Sequence, residues 1–156
     1  MSDPEFFKVK YKLTEQISRE GGMTMALANE RAGREMKALE GKSREAVGAT
    51  IDALEQLAKE RTAPMDAVYD LATNVLDVAG LYNQRLLCEA TYSLCELTDR
   101  LRSQSKVDWA PIVVHVDALK HIFAAPPHTH ETLVSLVKGL WTLVEYIKEA
   151  DAPPAP

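Results

Sequence analysis

Apolar residues recur at helical spacing over most of the chain, from Met65 to Ile147. Spacings of three and four residues put an apolar stripe along one face of a helix. Proline, glycine or a short polar run stands at nearly every place where the pattern resets, so the sequence predicts four successive amphipathic helices. Their predicted inward residues are Met65, Val68, Ala72, Val75, Leu76 and Ala79; Leu87, Ala90, Leu94, Leu97 and Leu101; Ile112, Val116, Leu119 and Phe123; and Leu133, Leu136, Val137, Leu140, Leu143, Val144 and Ile147.

Three of these helices carry start signals. Thr62 with Pro64, and Asp108 with Pro111, combine a capping side chain with a proline close to the start of a helix. Thr129 stands at the opening of the last helix. Because the last helix has a wide apolar stripe, we expect it to be the best-buried helix of the set.

The region before these helices has two different characters. Residues 46–58 carry Val47, Ile51, Leu54 and Ala58 at helical spacing and predict a fifth core helix. Residues 25–45 are rich in charge, and Met36 and Leu39 are the large apolar side chains of the stretch from Asn29 to Glu45. We expect a charged, weakly held helical arm there, or a segment that is ordered only against a partner, since its glycines each destabilise a helix by about 1 kcal/mol relative to alanine.

The two ends are expected to lie outside the folded domain. MSDPEF at the start has the amino-acid sequence that two adjacent cloning sites would encode, and SREGGMTM suits a translated ribosome-binding sequence. We therefore expect residues 1–24 to be a vector-derived or disordered leader. The bundle domain is predicted over residues 46–150, and the proline-rich residues 151–156 are expected to be a disordered tail.

These patterns predict one all-α domain: an antiparallel helical bundle of four to five core helices with a charged N-terminal helical arm. A chain of 156 residues is long enough to bury a core of its own. The net charge is −5, and residues 63–156 hold twelve acidic against seven basic residues. This balance argues against nucleic-acid binding. No apolar run approaches the length of a membrane span, and Cys88 and Cys95 predict reduced thiols in a cytoplasmic protein.

Motifs that could carry chemistry are weak. Gly41–Ser43 reads GKS, but a phosphate-binding loop needs a glycine five positions earlier, where the chain has Met36. The histidines and glutamate of His128–Glu131 suit adventitious metal binding on a loop rather than a built site. The cysteines lie far in sequence from every histidine, so a nucleophile would depend on the fold. The sequence therefore predicts no catalytic, cofactor-binding or metal-binding residue and no cofactor.

One histidine context is an exception. Residues 115–121 read HVDALKH, and these seven residues resemble the helical histidine boxes of sensor kinases. An acidic residue, Asp117, stands two positions after the first histidine. The pattern that follows the histidine box in that family is absent from this sequence. The resemblance implies His115 as a phosphoacceptor candidate. The Lys138-Gly139 pair, which resembles the end of a phosphotransfer motif, has Ser135 where the histidine would stand.

We therefore predict a non-enzymatic protein–protein interaction module, of the adaptor or regulator type in a bacterial cytoplasm. The candidate interaction residues are Met36, Leu39, Trp141 and Tyr146. The protein partner is not identified by the sequence, and self-association through the arm or the last helix is a further prediction. Three alternatives stay open: an amphipathic protein of lipid or granule surfaces, a histidine phosphotransfer-related signalling domain, and an enzyme whose site forms only in the fold, around His115 and His121.

Overall fold

The computed structural model describes residues 23–104, 106–126 and 130–150, with side chains described as far as residue 147. These residues form five helices: α1 (Met25–Glu60), α2 (Met65–Leu81), α3 (Arg85–Arg102), α4 (Ala110–Ala124) and α5 (His130–Ala150). No strand occurs in the described ranges. The prediction of an all-α helical bundle is confirmed.

Helix α3 occupies the centre of the core, because it packs against α2, α4 and α5. The five residues of its predicted stripe are all buried: Leu87, Ala90, Leu94, Leu97 and Leu101. The expectation that the last helix is the best buried was wrong, since the buried side chains of α5 among those described are Leu133, Val137, Leu140 and Val144, against nine residues of α3. The width of an apolar stripe does not reveal how many helices pack around it. Helix α3 packs against α2, α4 and α5, whereas α5 packs against α3 and α4.

Three buried polar side chains of α3 are satisfied by the helix itself. Thr91, Ser93 and Thr98 have no exposed surface. Their hydroxyls donate to the carbonyl oxygens of Leu87, Ala90 and Cys95 at 2.7, 3.0 and 2.8 Å, respectively. Such bonds to a carbonyl three or four residues earlier let small hydroxyls lie in a core without an unpaired polar atom.

Helix α1 is one helix of 36 residues, where the sequence suggested an arm followed by a separate core helix. Burial along it begins at Val47 and continues through Ile51, Leu54 and Ala58. The chain divides into two compact units, one ending at Glu40 and one beginning at Gly41. Within the first unit nearly every described side chain is exposed. The glycines did not stop the helix, because this stretch contains no proline and a helical glycine costs only about 1 kcal/mol.

Within the second unit, two side-chain contacts join α1 to α4. Lys120 donates a 2.6 Å hydrogen bond to Glu55, which also lies 2.9 Å from Lys59. At the far end of α4, a Nη atom of Arg44 donates to the carbonyl oxygen of Phe123 at 2.9 Å. Basic side chains favour such carbonyls at the end of a helix because they have no partner in a following turn.

The predicted helix starts differ in detail from those of the structure. Helix α2 begins at Met65 after Pro64, and no side chain caps it, so Thr62 does not act as the expected cap. Asp108 does bind the start of α4, because its carboxylate accepts a 3.0 Å hydrogen bond from the amide of Ala110. The fixed dihedral angle of proline suits a helix start without further help.

Several predictions concern residues outside the described part of the chain. They are the leader over residues 1–22, the start signal at Thr129, the loop histidine His128 and the tail over residues 151–156. Within the described ranges, no helix combines the length and the apolar character that crossing a membrane requires.

Candidate functional site

An aromatic pair connects α3 to α5 at the surface. The ring centroids of Tyr92 and Trp141 lie 5.8 Å apart, with the ring planes inclined by 49°. Trp141 is half-buried and packs against the core, whereas Tyr92 is 54% exposed. Aromatic pairs with this separation are stabilised by about 0.5–1.5 kcal/mol beyond their buried area. The pair therefore presents an aromatic surface whose position is fixed by the core beneath it.

A groove of about 300 Å³ runs beside Trp141 between the two helices. Leu86 of α3 and Val134 and Val137 of α5 form its apolar surface together with Trp141. Val134, Val137 and Trp141 share one face of α5 because they are spaced by three and four residues. Charged side chains also line the groove, contributed by Arg85, Glu89, His130 and Lys138. An aromatic and apolar centre among charged groups is the usual anatomy of a protein-binding surface.

Arg100 holds the two helices together beyond the aromatic pair. Its side chain is only 19% exposed and donates to Glu96 at 2.8 Å. It also donates a hydrogen bond to the carbonyl oxygen of Val144 on α5. Because one guanidinium binds both a side chain of α3 and the backbone of α5, it fixes these two helices to each other.

A second cavity, of about 360 Å³, adjoins the groove and shares Arg85, Leu86 and His130 with it. Its other lining side chains include Arg44 of α1 and Phe123 of α4. The guanidinium carbon of Arg44 lies 4.5 Å from the centroid of the Phe123 ring, a cation–π distance. This contact, with the hydrogen bond to the Phe123 carbonyl, orients Arg44 at the cavity.

The predicted interaction residues belong to different units and helix faces. Met36 and Leu39 are 43% and 52% exposed and belong to the first unit. Trp141 lines the groove. Tyr146 is 69% exposed, but five residues on a helix correspond to about 140° between side chains, so it lies on a different face of α5 from Trp141.

His115 is fully buried in α4. Its Nδ1 lies 2.8 Å from the carbonyl oxygen of Pro111, and its Nε2 has no partner among the described residues. Burial lowers the pKa of His115 below its ordinary value, and the hydrogen bond with Pro111 opposes part of this change. In this structure the imidazole is out of reach of a phosphodonor. His121 is exposed, so the fold does not bring the two imidazoles into one site.

The cysteine thiols are poor nucleophiles in this environment. Cys88 is partly buried and Cys95 is buried, and both thiols are free. Burial, reinforced by the negative charge of Asp99, raises the pKa of Cys95 to about 11. Burial likewise raises the pKa of Cys88. A thiol must lose its proton to attack, so both are held largely in the unreactive form at neutral pH.

Metal binding has no built site in the part of the chain that the structure describes. No group of three or more His, Cys, Asp or Glu side chains there is arranged to hold a metal ion. Of the HTHE stretch, only His130 and Glu131 fall within the described residues.

Tyr92, Arg44 and Arg85 are site residues that the sequence reasoning missed. Tyr92 is an aromatic side chain on the face of α3 opposite Leu94, in line with Glu89 and Glu96. A large aromatic residue on a charged helix face was the available signal. The contributions of Arg44 and Arg85 depend on how α1, α3 and α4 meet, which no local pattern encodes.

Comparisons with models of protein families, with curated proteins and with solved structures found no match for this chain. Its function is therefore inferred from its own residues.

Proposed function

We propose that the protein is a non-enzymatic protein–protein interaction module that binds its partner along the groove between α3 and α5. The observation that carries this proposal is the Tyr92–Trp141 pair, because Trp141 lines a groove that has both apolar and charged side chains. Tryptophan, tyrosine and arginine are the residues that most often dominate interface energies. Arg85 and Trp141 line the groove, and Tyr92 contacts the Trp141 ring.

The proposed role is that of an adaptor or regulator in a bacterial cytoplasm. The partly buried Cys88 and the buried Cys95 are both free thiols, as is usual for proteins of a reducing compartment. Their raised pKa values and the burial of His115 support a binding role over catalysis. A partner that fits the groove would offer an apolar anchor for Trp141 and polar groups for Arg85, Glu89 and Lys138.

The test is affinity capture from the source organism with matched tyrosine variants. Tyr92→Ala removes the exposed ring that contacts the groove residue Trp141, and Tyr146→Ala removes an exposed ring from another face of α5. We expect Tyr92→Ala to lower recovery of the partner at least about tenfold, the loss that truncation of an interface anchor produces. The Tyr146→Ala variant should capture as much of the partner as the wild-type protein does. Equal recovery with Tyr92→Ala and wild type would contradict the groove as the binding surface.

A second candidate function is binding to a lipid or granule surface through the first unit. Met25, Met36 and Leu39 are exposed apolar side chains there. The same stretch carries the basic residues Arg31, Arg34 and Lys37, which are equal in number to its glutamates. An amphipathic helix binds a lipid surface through its apolar face, and basic side chains beside that face attract anionic headgroups. Co-sedimentation with vesicles containing anionic lipid tests it: wild type should sediment and the double variant Met36→Glu/Leu39→Glu should not. Wild-type protein that stays in the supernatant excludes this candidate.

A further inference from the structure

The cavity beside Arg44 has an apolar base and a basic mouth. Its base includes Leu87, Ile122 and Leu133, which are 2%, 8% and 7% exposed, and Phe123 packs against the same core. Arg44, Arg85 and His130 line the same cavity and are all exposed or partly exposed side chains. Its volume of about 360 Å³ lies in the range of small-molecule sites in proteins.

The charge of this cavity is opposite to that of the protein. The chain has a net charge of −5, and residues 63–156, which supply most of the lining, are its acidic part. No Asp or Glu is among the described residues that line the cavity. Concave surfaces lined by one sign of charge concentrate ligands of the other sign. Glu89, in the adjoining groove, offsets part of the charge of Arg85, and Arg44 adds a second positive charge, so the site favours an anion.

The basic groups retain donors for such an anion. Arg85 donates through Nε to Glu89 at 2.7 Å, and Arg44 donates through one Nη to the carbonyl oxygen of Phe123. Each guanidinium has five N–H donors in a fixed plane, so these contacts use a small part of its capacity. The amides of Leu86 and Leu87, in the first turn of α3, also have no acceptor among the described residues.

Arg44 is held in place without a ligand. Stacking over the Phe123 ring and the hydrogen bond to the Phe123 carbonyl restrict its side chain. Restriction before binding lowers the entropy lost when a ligand is bound. The planar fork of a guanidinium matches a carboxylate in both size and geometry.

We propose that this cavity binds a carboxylate attached to a short apolar chain, with the carboxylate between Arg44 and Arg85 at the mouth and the apolar chain against Leu87, Ile122 and Leu133. The carboxylate comes either from a free small carboxylic acid or from the C-terminus of a peptide with an apolar last residue. This inference goes beyond the proposed partner-binding groove, because Arg44 and Phe123 do not line that groove.

The direct test is an NMR titration of the full chain with hexanoate, with 1-hexanol as the uncharged probe. Hexanoate should shift the amide signals of Leu86 and Leu87 to saturation, and 1-hexanol should bind at least about tenfold more weakly, because it lacks the charge-assisted hydrogen bonds. A short peptide ending in leucine, with a free or an amidated terminus, distinguishes the sources. Tighter binding of the free-terminus peptide than of hexanoate assigns the site to chain ends, and the reverse assigns it to small acids.

Arginine variants test the geometry. Arg44→Gln and Arg85→Gln should each weaken hexanoate binding about tenfold. Arg34→Gln is the matched control, because Arg34 pairs with Glu30 as Arg85 pairs with Glu89, four residues apart on a helix, and lies outside the cavity. Arg85 has a side chain that is 84% exposed, so its variant tests binding even if Arg44→Gln alters folding.

Three results would overturn the proposal. They are no saturable shift with either carboxylate probe, equal affinity for hexanoate and 1-hexanol, and unchanged binding in Arg85→Gln. If Tyr92→Ala loses the partner but still binds hexanoate, the result supports both the groove and the carboxylate cavity. If Tyr92→Ala still captures the partner, the result contradicts the groove proposal and leaves the cavity proposal unaffected.

Discussion

The Nδ1 atom of His115 lies 2.8 Å from the carbonyl oxygen of Pro111, one helical turn earlier in α4. A carbonyl oxygen can only accept, so Nδ1 carries the proton and Nε2 is the unprotonated nitrogen. That Nε2 atom is buried without a partner among the described residues. A second proton would place a positive charge in the core, and the hydrogen bond to Pro111 offsets only part of the cost of burying it.

The first prediction concerns the pH dependence of stability. Burial lowers the pKa of His115 in the folded state, while the unfolded chain keeps the ordinary value of 6.5. Above pH 6.5 both states are neutral at this residue and it contributes no pH dependence. As the pH falls below 6.5 the unfolded state gains the proton first, so the free energy of unfolding decreases by up to about 1.4 kcal/mol per pH unit until the folded pKa is reached. Urea unfolding between pH 7.5 and 5 measures this.

Two variants isolate the contribution of His115 from that of the acidic residues. His115→Leu should lose the part of the pH dependence that lies just below pH 6.5, because its side chain cannot bind a proton. His121→Gln, which replaces the exposed histidine of the same helix, is the matched control. Parallel curves for wild type and His115→Leu would show that His115 takes up its proton equally in the folded and unfolded states.

The second prediction concerns the centre of the core. Leu94→Ala on α3 should reduce the free energy of unfolding by about 2–5 kcal/mol, since it removes a side chain with no exposed surface. Leu136→Ala on α5 should have a smaller effect, because Leu136 is only partly buried. Denaturant unfolding compares the two. If Leu136→Ala lowered the free energy of unfolding more than Leu94→Ala, the centre of the core would lie at α5.

The third prediction compares two helical glycines. A Cβ atom on Gly139 would meet no other atom within 4 Å, so Gly139→Ala should stabilise the protein by about 0.5–1 kcal/mol through helix propensity. A Cβ atom on Gly48 would lie 3.3 Å from Cε1 of Phe123. Gly48→Ala should therefore stabilise less, or destabilise, because the Phe123 ring must move. An equal gain from both substitutions would mean that α1 and α4 are not in close contact here.

The fourth prediction concerns thiol reactivity. A rise in the pKa of Cys95 from 9.0 to about 11 reduces its thiolate fraction at neutral pH about a hundredfold. Alkylation of Cys95 in the native protein at pH 7.5 should therefore be at least that much slower than in urea, as followed by mass spectrometry. Equal rates in the two states would show that the thiol is neither buried nor perturbed.

The helices and most core residues were predictable because burial follows periodicity within a single helix. The stripes through Leu94 and Ile112 are examples. His115 also had a signal, since it stands three residues after Ile112 and four before Leu119, on the same inward face. That position already favours a buried imidazole over an exposed phosphoacceptor.

Contacts between helices could not be predicted in the same way. The pairing of Tyr92 with Trp141 depends on the rotation of α3 against α5, and the approach of Arg44 to Phe123 depends on where α1 meets α4. Local sequence determines which residues share a helix face, but not which face of another helix they meet. The sequence also did not predict that α1 is continuous. Gly33 and Gly41 lower the local helical propensity, but the helical residues on either side of them keep the helix intact.

Site-specific photo-crosslinking in the source organism tests the proposed binding surface most directly. A photoreactive phenylalanine analogue would replace Tyr92 at the groove in one strain and Tyr146 on the other face of α5 in another. Binding along the groove predicts one discrete crosslinked protein from position 92 and none from position 146. Crosslinks from position 146 alone, or from neither position, would contradict it.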